Sequence, residues 1–246
     1  MCRLAAYLGQ PISLGEMLGN PAEGVLKDAC AYGIGWYAPD TLPAVYSSLM
    51  PGASDVNLPH LGRSLESGLW LFHTRPVSVS SLVIPPSRQP LCDGDFLFAH
   101  DGYIEDFRTS LCPLIRQFLA PEIEADIQSN NVADYLFAML RHLLADDDEM
   151  SLDQVLVELF KLLDDWLEEA PALLNIIISD GEGLYAARHA INAECAPLYF
   201  TTDDETYPNA ELIASEPLTP SEFWQPVPEH HLLILDPEEP PELMSL

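Results

Sequence analysis

A cysteine stands at position 2, directly after Met1. Aminopeptidases remove methionine before small residues, and this would leave a thiol and a free α-amine on the same residue. The amine titrates at about 7.7–8.0 and the thiol at about 8.5, so the amine accepts the thiol proton directly or through one water. Cys2 is therefore a candidate nucleophile that carries its own base. Cysteine is more often incidental at this position, so the interpretation depends on the rest of the chain.

Two apolar runs end in polar residues that suit chemistry. His73-Thr74-Arg75 closes the run that begins at Trp70, and His100-Asp101-Gly102 closes the run that begins at Phe96. Both runs predict β-strands, and functional side chains are common where strands end. The planar guanidinium of Arg75 suits a carboxylate better than a lysine does, because it donates two parallel hydrogen bonds. A surface salt bridge is the alternative for Arg75.

Glycine alternates with bulky residues over positions 31–37, Ala31-Tyr32-Gly33-Ile34-Gly35-Trp36-Tyr37. This pattern predicts a strand that packs closely against another backbone, because glycine has no Cβ. A nucleotide-binding loop is not indicated, since no third glycine and no following helix accompany Gly33 and Gly35.

Taken in order, these motifs resemble the class II glutamine amidotransferases, particularly the branch related to the ergothioneine-pathway γ-glutamyl hydrolases. Met1-Cys2-Arg3 is similar to the opening of that family, residues 33–37 to its GxGWY strand, and residues 73–75 to its HxR strand end. Residues 100–104 lie where the family carries His-Asn-Gly-x-Ile. Later matches are Ser179-Asp180-Gly181-Glu182, Ala187-Arg188 and Ala214-Ser215-Glu216-Pro217-Leu218, so the resemblance covers residues 2–235.

The resemblance implies an α+β fold, a four-layer αββα sandwich of two antiparallel sheets of the N-terminal-nucleophile hydrolase type. We expect one domain over residues 2–236, because no repeat or linker divides the chain. Residues 237–246 form an acidic, proline-rich tail, and we expect it to be loosely ordered because its first six residues, 237–242, lack apolar content.

The resemblance also implies a reaction. Cys2 would attack a γ-glutamyl amide, form a thioester and release ammonia or an amine, after which water frees glutamate. Arg75 would hold the substrate α-carboxylate and Ser78 would place a hydroxyl nearby, with His100 and Asn131 as further substrate-binding residues. The expected partners are glutamine or another small γ-glutamyl amide, and a synthetase that uses released ammonia. No cofactor is expected.

Two positions depart from the family pattern. Asp101 stands where the family has the asparagine that forms the oxyanion hole together with the backbone N–H of Gly102. An ionised carboxylate donates no hydrogen bond, and losing one such donor costs about 10²–10³ in kcat, so Asp101 would have to be protonated. Val132 replaces an aspartate that binds the substrate amine, which leaves Asn130 or Asn131 nearby. The alternative is a pseudoenzyme that keeps the fold as a binding or regulatory module.

Helices and strands follow from the pattern of apolar residues. A Ser13-x-x-Glu16 capping box predicts a short helix to Leu18, and amphipathic spacing predicts helices over Val132–Leu144 and Leu152–Ala170, the last opened by Ser151-x-x-Gln154. From Leu173 the pattern becomes that of strands: Leu173–Ser179, Leu184–Arg188, Leu198–Thr202, Glu211–Ala214 and His231–Leu235.

The composition excludes several classes of function. Ten basic against 39 acidic residues give a formal charge of −29, which repels phosphate backbones and anionic lipid, so neither nucleic acid nor a membrane is an expected partner. Five cysteines without a CxxC pair argue against disulfides and a zinc knuckle. The absence of a signal peptide and of a long apolar run indicates a cytoplasmic protein. We interpret the histidines at 60, 142, 189, 230 and 231 as structural, with no metal ligands among them.

Overall fold

The computed structural model describes residues 2–19, 24–38, 42–76, 88–127, 129–147 and 149–246. Its strands are β1 (Arg3–Ser13), β2 (Ala29–Tyr37), β3 (Pro43–Ser48), β4 (Glu66–Pro76), β5 (Leu91–Cys92), β6 (Leu97–Ile104), β7 (Ala172–Ser179), β8 (Leu184–Ile191), β9 (Tyr199–Thr201), β10 (Glu211–Ala214), β11 (Gln225–Pro226), β12 (His231–Asp236) and β13 (Glu239–Ser245). Its helices are α1 (Leu14–Leu18), α2 (Leu58–Ser64), α3 (Cys112–Phe118), α4 (Pro121–Asp126), α5 (Val132–Asp146) and α6 (Leu152–Leu167).

The strands form two antiparallel sheets. The seven-stranded sheet has the order β11-β9-β10-β1-β4-β2-β3, and the six-stranded sheet has the order β13-β12-β8-β7-β6-β5. Within the described ranges, no helix is long and apolar enough to cross a bilayer.

Three clusters of buried apolar side chains separate four layers. One cluster, which includes Leu4, Leu71 and Ile177, fills the space between the two sheets. A second packs α3, α5 and α6 on the outer face of the six-stranded sheet, and a third packs α1 and α2 on the outer face of the seven-stranded sheet. The predicted αββα sandwich is therefore confirmed.

The helix boundaries follow the capping signals. At α1, the backbone N–H of Glu16 donates to Ser13 Oγ at 3.2 Å, and the Glu16 carboxylate accepts from the Ser13 N–H at 2.8 Å. At α6, the Ser151 N–H donates to the side chain of Gln154 at 3.1 Å. Both predicted capping boxes are present, and α6 ends earlier than predicted, at Leu167.

The prediction that residues 237–246 are loosely ordered is wrong. Residues 239–245 form β13, which pairs antiparallel with β12 and places Met244 opposite Leu232. Backbone pairing at a sheet edge needs few apolar side chains, and those of Met244 and Leu246 pack against the helix-side core. That residues 2–236 fold as a domain without this strand stays a prediction.

The close approach predicted at the glycine-rich strand is confirmed. A Cβ on Gly33 would lie 1.9 Å from the backbone oxygen of Gln89, and a Cβ on Gly35 would lie 3.0 Å from a side-chain carbon of Leu97. The backbone of β2 therefore contacts the backbone of the segment before β5, and there is no room for a side chain at Gly33.

We expect Gly33→Ala to lower the free energy of unfolding by at least about 1–3 kcal/mol, because a backbone group would have to move away from the new methyl group. Gly94→Ala is the matched control, since nothing lies within 4 Å of a Cβ at that position. The control should change stability by less than about 0.5 kcal/mol. Urea denaturation measures both variants, and equal stabilities would contradict the close packing at Gly33.

Candidate active site

The candidate residues lie at one end of the sandwich, on three strands whose side chains point alternately toward the space between the two sheets and away from it. Side chains alternate between the two faces of a strand, and the inner faces of β1, β4 and β6 fill the space between the sheets. The same rows continue toward that end as Cys2, His73, Arg75 and Asp101. All four line a cleft of about 240 Å³ at the end of the inter-sheet core.

The structure brings the predicted site residues together. Those that line the cleft are Cys2, Arg75, His100, Asp101, Gly102 and Asn131. The remaining one, Ser78, lies outside the described residues. Their catalytic and substrate-binding roles stay predictions.

Asp101 is buried, with 8% of its surface exposed, and burial raises the pKa of its carboxyl group to about 6, while the positive charge of the N-terminus and a hydrogen bond with Cys2 oppose the rise. Its cross-strand neighbour on β7 is Asn175, whose Nδ2 donates to the Pro197 carbonyl oxygen at 3.2 Å. The Oδ1 of Asn175 is buried and has no hydrogen-bond partner among the described residues.

The Cys2 thiol is held in its neutral form. Burial raises the pKa of the thiol to about 11, the neighbouring carboxyl of Asp101 adds to the rise, and Arg75 opposes it. A thiol in this environment needs a base close to the sulfur before it can act as a nucleophile.

Both histidines of the cleft are neutral at pH 7. Burial lowers the pKa of His73 to about 3 and that of His100 to about 4. The His100 Nε2 lies 3.3 Å from the carbonyl oxygen of Leu173, so this nitrogen carries the hydrogen and donates it to β7. The imidazole of His100 is thereby tied to the six-stranded sheet.

Gly102 and the start of α5 complete the cleft. Gly102 has a φ of 155°, and a Cβ there would lie 1.9 Å from the Leu173 carbonyl oxygen, so only glycine fits. Asn131 is the N-cap residue of α5, and its Nδ2 donates to Ser129 Oγ at 3.0 Å. Among the described residues of the cleft, Asp101 is the only carboxylic acid and no group with metal-ligand geometry is present.

Gln89 belongs to the site, and the sequence did not predict it. The side chain of this buried residue accepts a hydrogen bond from the His100 N–H and donates one to the His100 carbonyl oxygen at 3.0 Å. The residue lies in a proline- and serine-rich stretch that predicts only a loop, and no local signal distinguishes it.

A second cleft, of about 250 Å³, shares Cys2 and Asp101 with the first and is also lined by Arg3, Ser215 and Glu216. Arg3 Nε lies 2.9 Å from Glu216 Oε1. Ser215 accepts a hydrogen bond from the Leu4 N–H through its Oγ and donates its own N–H to the Leu4 carbonyl oxygen, each at 3.0 Å. Cys2 therefore lies between two clefts, and the start of β1 is fixed by Ser215.

The two-sheet sandwich is the fold of solved glutamine aminotransferase class-II and amidotransferase structures, which is the fold that the resemblance in the sequence predicted. The structure superposes with a TM-score of 0.71 and 22% identity on a glutamine aminotransferase class-II domain protein from Silicibacter pomeroyi, over 100% of this chain and 99% of that one. The glutamine phosphoribosylpyrophosphate amidotransferase of Bacillus subtilis gives a TM-score of 0.68 at 12% identity, over 99% of this chain and 49% of that one.

In sequence, the chain is similar to gamma-glutamyl-hercynylcysteine sulfoxide hydrolase from Mycolicibacterium smegmatis, with 24% identity over 251 aligned residues and 95% of each chain covered. No protein-family model matches the chain.

The raised pKa of Asp101 predicts a pH-dependent cost to stability. The folded protein holds the proton up to about pH 6, whereas an unfolded aspartic acid releases it near its ordinary value of 3.8, so stability falls by about 3 kcal/mol as the pH rises between these values. Asp101→Asn removes this dependence. We expect the variant to be more stable than wild type by up to about 3 kcal/mol at pH 7–8, with no such gain near pH 4. Urea unfolding at both pH values measures the difference, and a difference that does not change with pH would contradict the prediction.

Proposed function

We propose that this chain is an amidohydrolase that cleaves substituted γ-glutamyl amides through Cys2. The supporting observation is the position of Cys2 between two clefts, one with Arg75 and one with Arg3 and Glu216. An amide bond at the sulfur would extend its acyl part into the first cleft and its amine part into the second.

The reaction begins with a proton transfer. Once Met1 is removed, the α-amine of Cys2 accepts the thiol proton, and the thiolate attacks the amide carbon. The C–N bond breaks, the departing nitrogen takes the proton from the α-ammonium group, and the acyl group stays on sulfur as a thioester. Water then attacks the thioester, which releases the free carboxylic acid and regenerates the thiol. The raised pKa of the Cys2 thiol supports the need for so close a base.

The oxyanion of each tetrahedral intermediate would be stabilised by two donors, the backbone N–H of Gly102 and the protonated carboxyl group of Asp101. The pKa of about 6 for Asp101 supports this role below that pH. Above that pH the carboxylate donates nothing and repels the oxyanion, so the same residue becomes inhibitory.

Substrate recognition follows from the two clefts. Arg75 would bind the α-carboxylate, with His100 and Asn131 beside the acyl chain. The second cleft has room for a leaving group larger than ammonia, and its ion pair of Arg3 and Glu216 suits a zwitterionic one. The name of the Mycolicibacterium smegmatis relative describes a hydrolase of a substituted γ-glutamyl compound, which supports hydrolysis over ammonia delivery to a synthetase.

The central test compares substrates and cysteine variants. We expect purified protein to lack Met1 by intact-mass measurement and to hydrolyse γ-glutamyl dipeptides with a kcat/KM at least about tenfold above that for glutamine, because glutamine leaves the second cleft empty. Cys2→Ala should have no activity, whereas Cys92→Ser, which alters an exposed thiol, should match wild type.

A glutamine-analogue diazo-ketone should label wild type once, at Cys2, and should not label Cys2→Ala. Met1 retained on folded protein, or activity that survives in Cys2→Ala, would contradict the proposed mechanism. Folded protein with neither labelling nor turnover would instead indicate the pseudoenzyme.

The pH profile tests the role of Asp101. Deprotonation of the Cys2 thiol increases activity as pH rises, whereas loss of the Asp101 proton decreases it above about pH 6, so wild-type kcat should fall or flatten there. Asp101→Asn keeps a neutral donor, and we expect its kcat at pH 8 to exceed that of wild type by up to about 10². Parallel profiles of the two proteins from pH 5 to 9 would show that Asp101 does not donate to the oxyanion.

A further inference from the structure

Outside both clefts, three potential metal ligands converge on one side of the molecule. Cys195, Glu229 and His230 place a sulfur, a carboxylate oxygen and an imidazole nitrogen within 4.8 Å of one another. The Cys195 Sγ and the His230 Nε2 are 4.0 Å apart. Bonds of about 2.0–2.3 Å in a tetrahedral zinc site separate neighbouring donor atoms by about 3.3–3.5 Å, so the side chains need to close by about 1 Å.

A chain of hydrogen bonds sets the tautomer of His230. Its Nδ1 lies 3.3 Å from the Nδ1 of His189, and the Nε2 of His189 lies 3.1 Å from Asp164 Oδ1. A carboxylate can only accept, so the His189 Nε2 carries the hydrogen and the His189 Nδ1 of the neutral ring presents a lone pair. His230 therefore donates its Nδ1 hydrogen to His189, and the lone pair of His230 Nε2 faces Cys195. Histidines that bind metals are usually held by a second hydrogen bond of this kind.

One arginine holds both segments that carry the ligands. Arg188 Nε donates to the Ala196 carbonyl oxygen at 2.8 Å, and Nη1 donates to the Val227 carbonyl oxygen at 2.7 Å. The Nη2 of Arg188 lies 3.3 Å from Glu229 Oε1, and this contact does not involve the Oε2 of Glu229. The backbone of His230 is fixed in turn by Leu246, whose N–H donates to the His230 carbonyl oxygen at 2.9 Å.

We propose that Cys195, Glu229 and His230 bind a zinc ion, with the fourth tetrahedral position taken by water. Thiolate, imidazole and carboxylate are the ligands that zinc accepts together, whereas magnesium and calcium bind oxygen. The formal charge of −29 raises the local concentration of divalent cations. Spacing along the sequence does not indicate this site, because 35 residues separate Cys195 from His230. The proposal replaces the structural interpretation of His230, and it is independent of the proposed hydrolase activity.

Cobalt(II) is the probe, because a thiolate bound to cobalt gives charge-transfer absorption and a tetrahedral site gives intense visible bands. Metal-free full-length protein is titrated with cobalt, which is then displaced by zinc. The ligand variants are Cys195→Ser and His230→Asn, and asparagine is chosen because it tolerates the φ of 57° at that position. His189→Gln removes the hydrogen bond behind the ligand. Cys92→Ser and Cys2→Ala are controls, the second because an N-terminal cysteine can itself chelate metals.

We expect one equivalent of cobalt to bind wild type and both controls with the same charge-transfer intensity, and zinc to displace it. Cys195→Ser should lose the charge-transfer band, His230→Asn should bind at least about tenfold more weakly, and His189→Gln about 10–100-fold more weakly. Circular dichroism confirms that each variant is folded. A band that survives in Cys195→Ser or disappears in Cys2→Ala would overturn the proposal, as would wild-type protein that binds no cobalt at millimolar concentration.

Discussion

Gln89 makes a contact between the two sheets beside the cleft, and the geometry of the site depends on that contact. Its backbone rests on Gly33 of the seven-stranded sheet, and its side-chain amide pairs with both backbone groups of His100 in the six-stranded sheet. The register of β5 with β6, continued by two residues, would place Gln89 opposite His100. The side-chain amide of Gln89 thus forms the hydrogen bonds that a neighbouring strand would otherwise form with His100. It satisfies buried backbone groups whose lack of a partner would cost free energy. Asp101 is the next residue after His100, so Gln89 connects the strand that carries Asp101 to the sheet that carries Cys2.

This arrangement also sets the electrostatics of the cleft. The inner rows of β1, β4 and β6 change from apolar to polar residues before they leave the core, so the polar groups remain largely desolvated. Burial pushes the Cys2 thiol, the Asp101 carboxyl group and the imidazoles of His73 and His100 toward their neutral forms. Arg75 supplies positive charge among these neutral groups. Among the described residues that line the cleft, Arg75 is therefore the cation with which an anionic group could pair.

Local patterns predicted much of this architecture, because strand alternation and helix capping depend on residues close in sequence. The Ser13 capping box, the start of α5 at Val132 and the close packing at Gly33 were all predicted on such patterns. The rest depends on contacts between distant segments. The residues next to Gln89 in the sequence do not indicate that it is the partner of Gly33. The second cleft brings Arg3 together with residues more than two hundred positions later in the chain. Pairing with β12 orders β13, although the composition of β13 does not predict a strand.

The edge strand β13 has a consequence for how copies of the protein meet in concentrated solution. It lies at the outer end of the six-stranded sheet, where exposed backbone groups usually invite a strand from another molecule. Pro240 and Pro241 have no N–H to offer such a strand, and Glu239 and Glu242 place negative charge along the same rim. An approaching copy carries the same charges and is repelled. The sheet therefore ends at this strand, and the edge resists the growth of ordered aggregates.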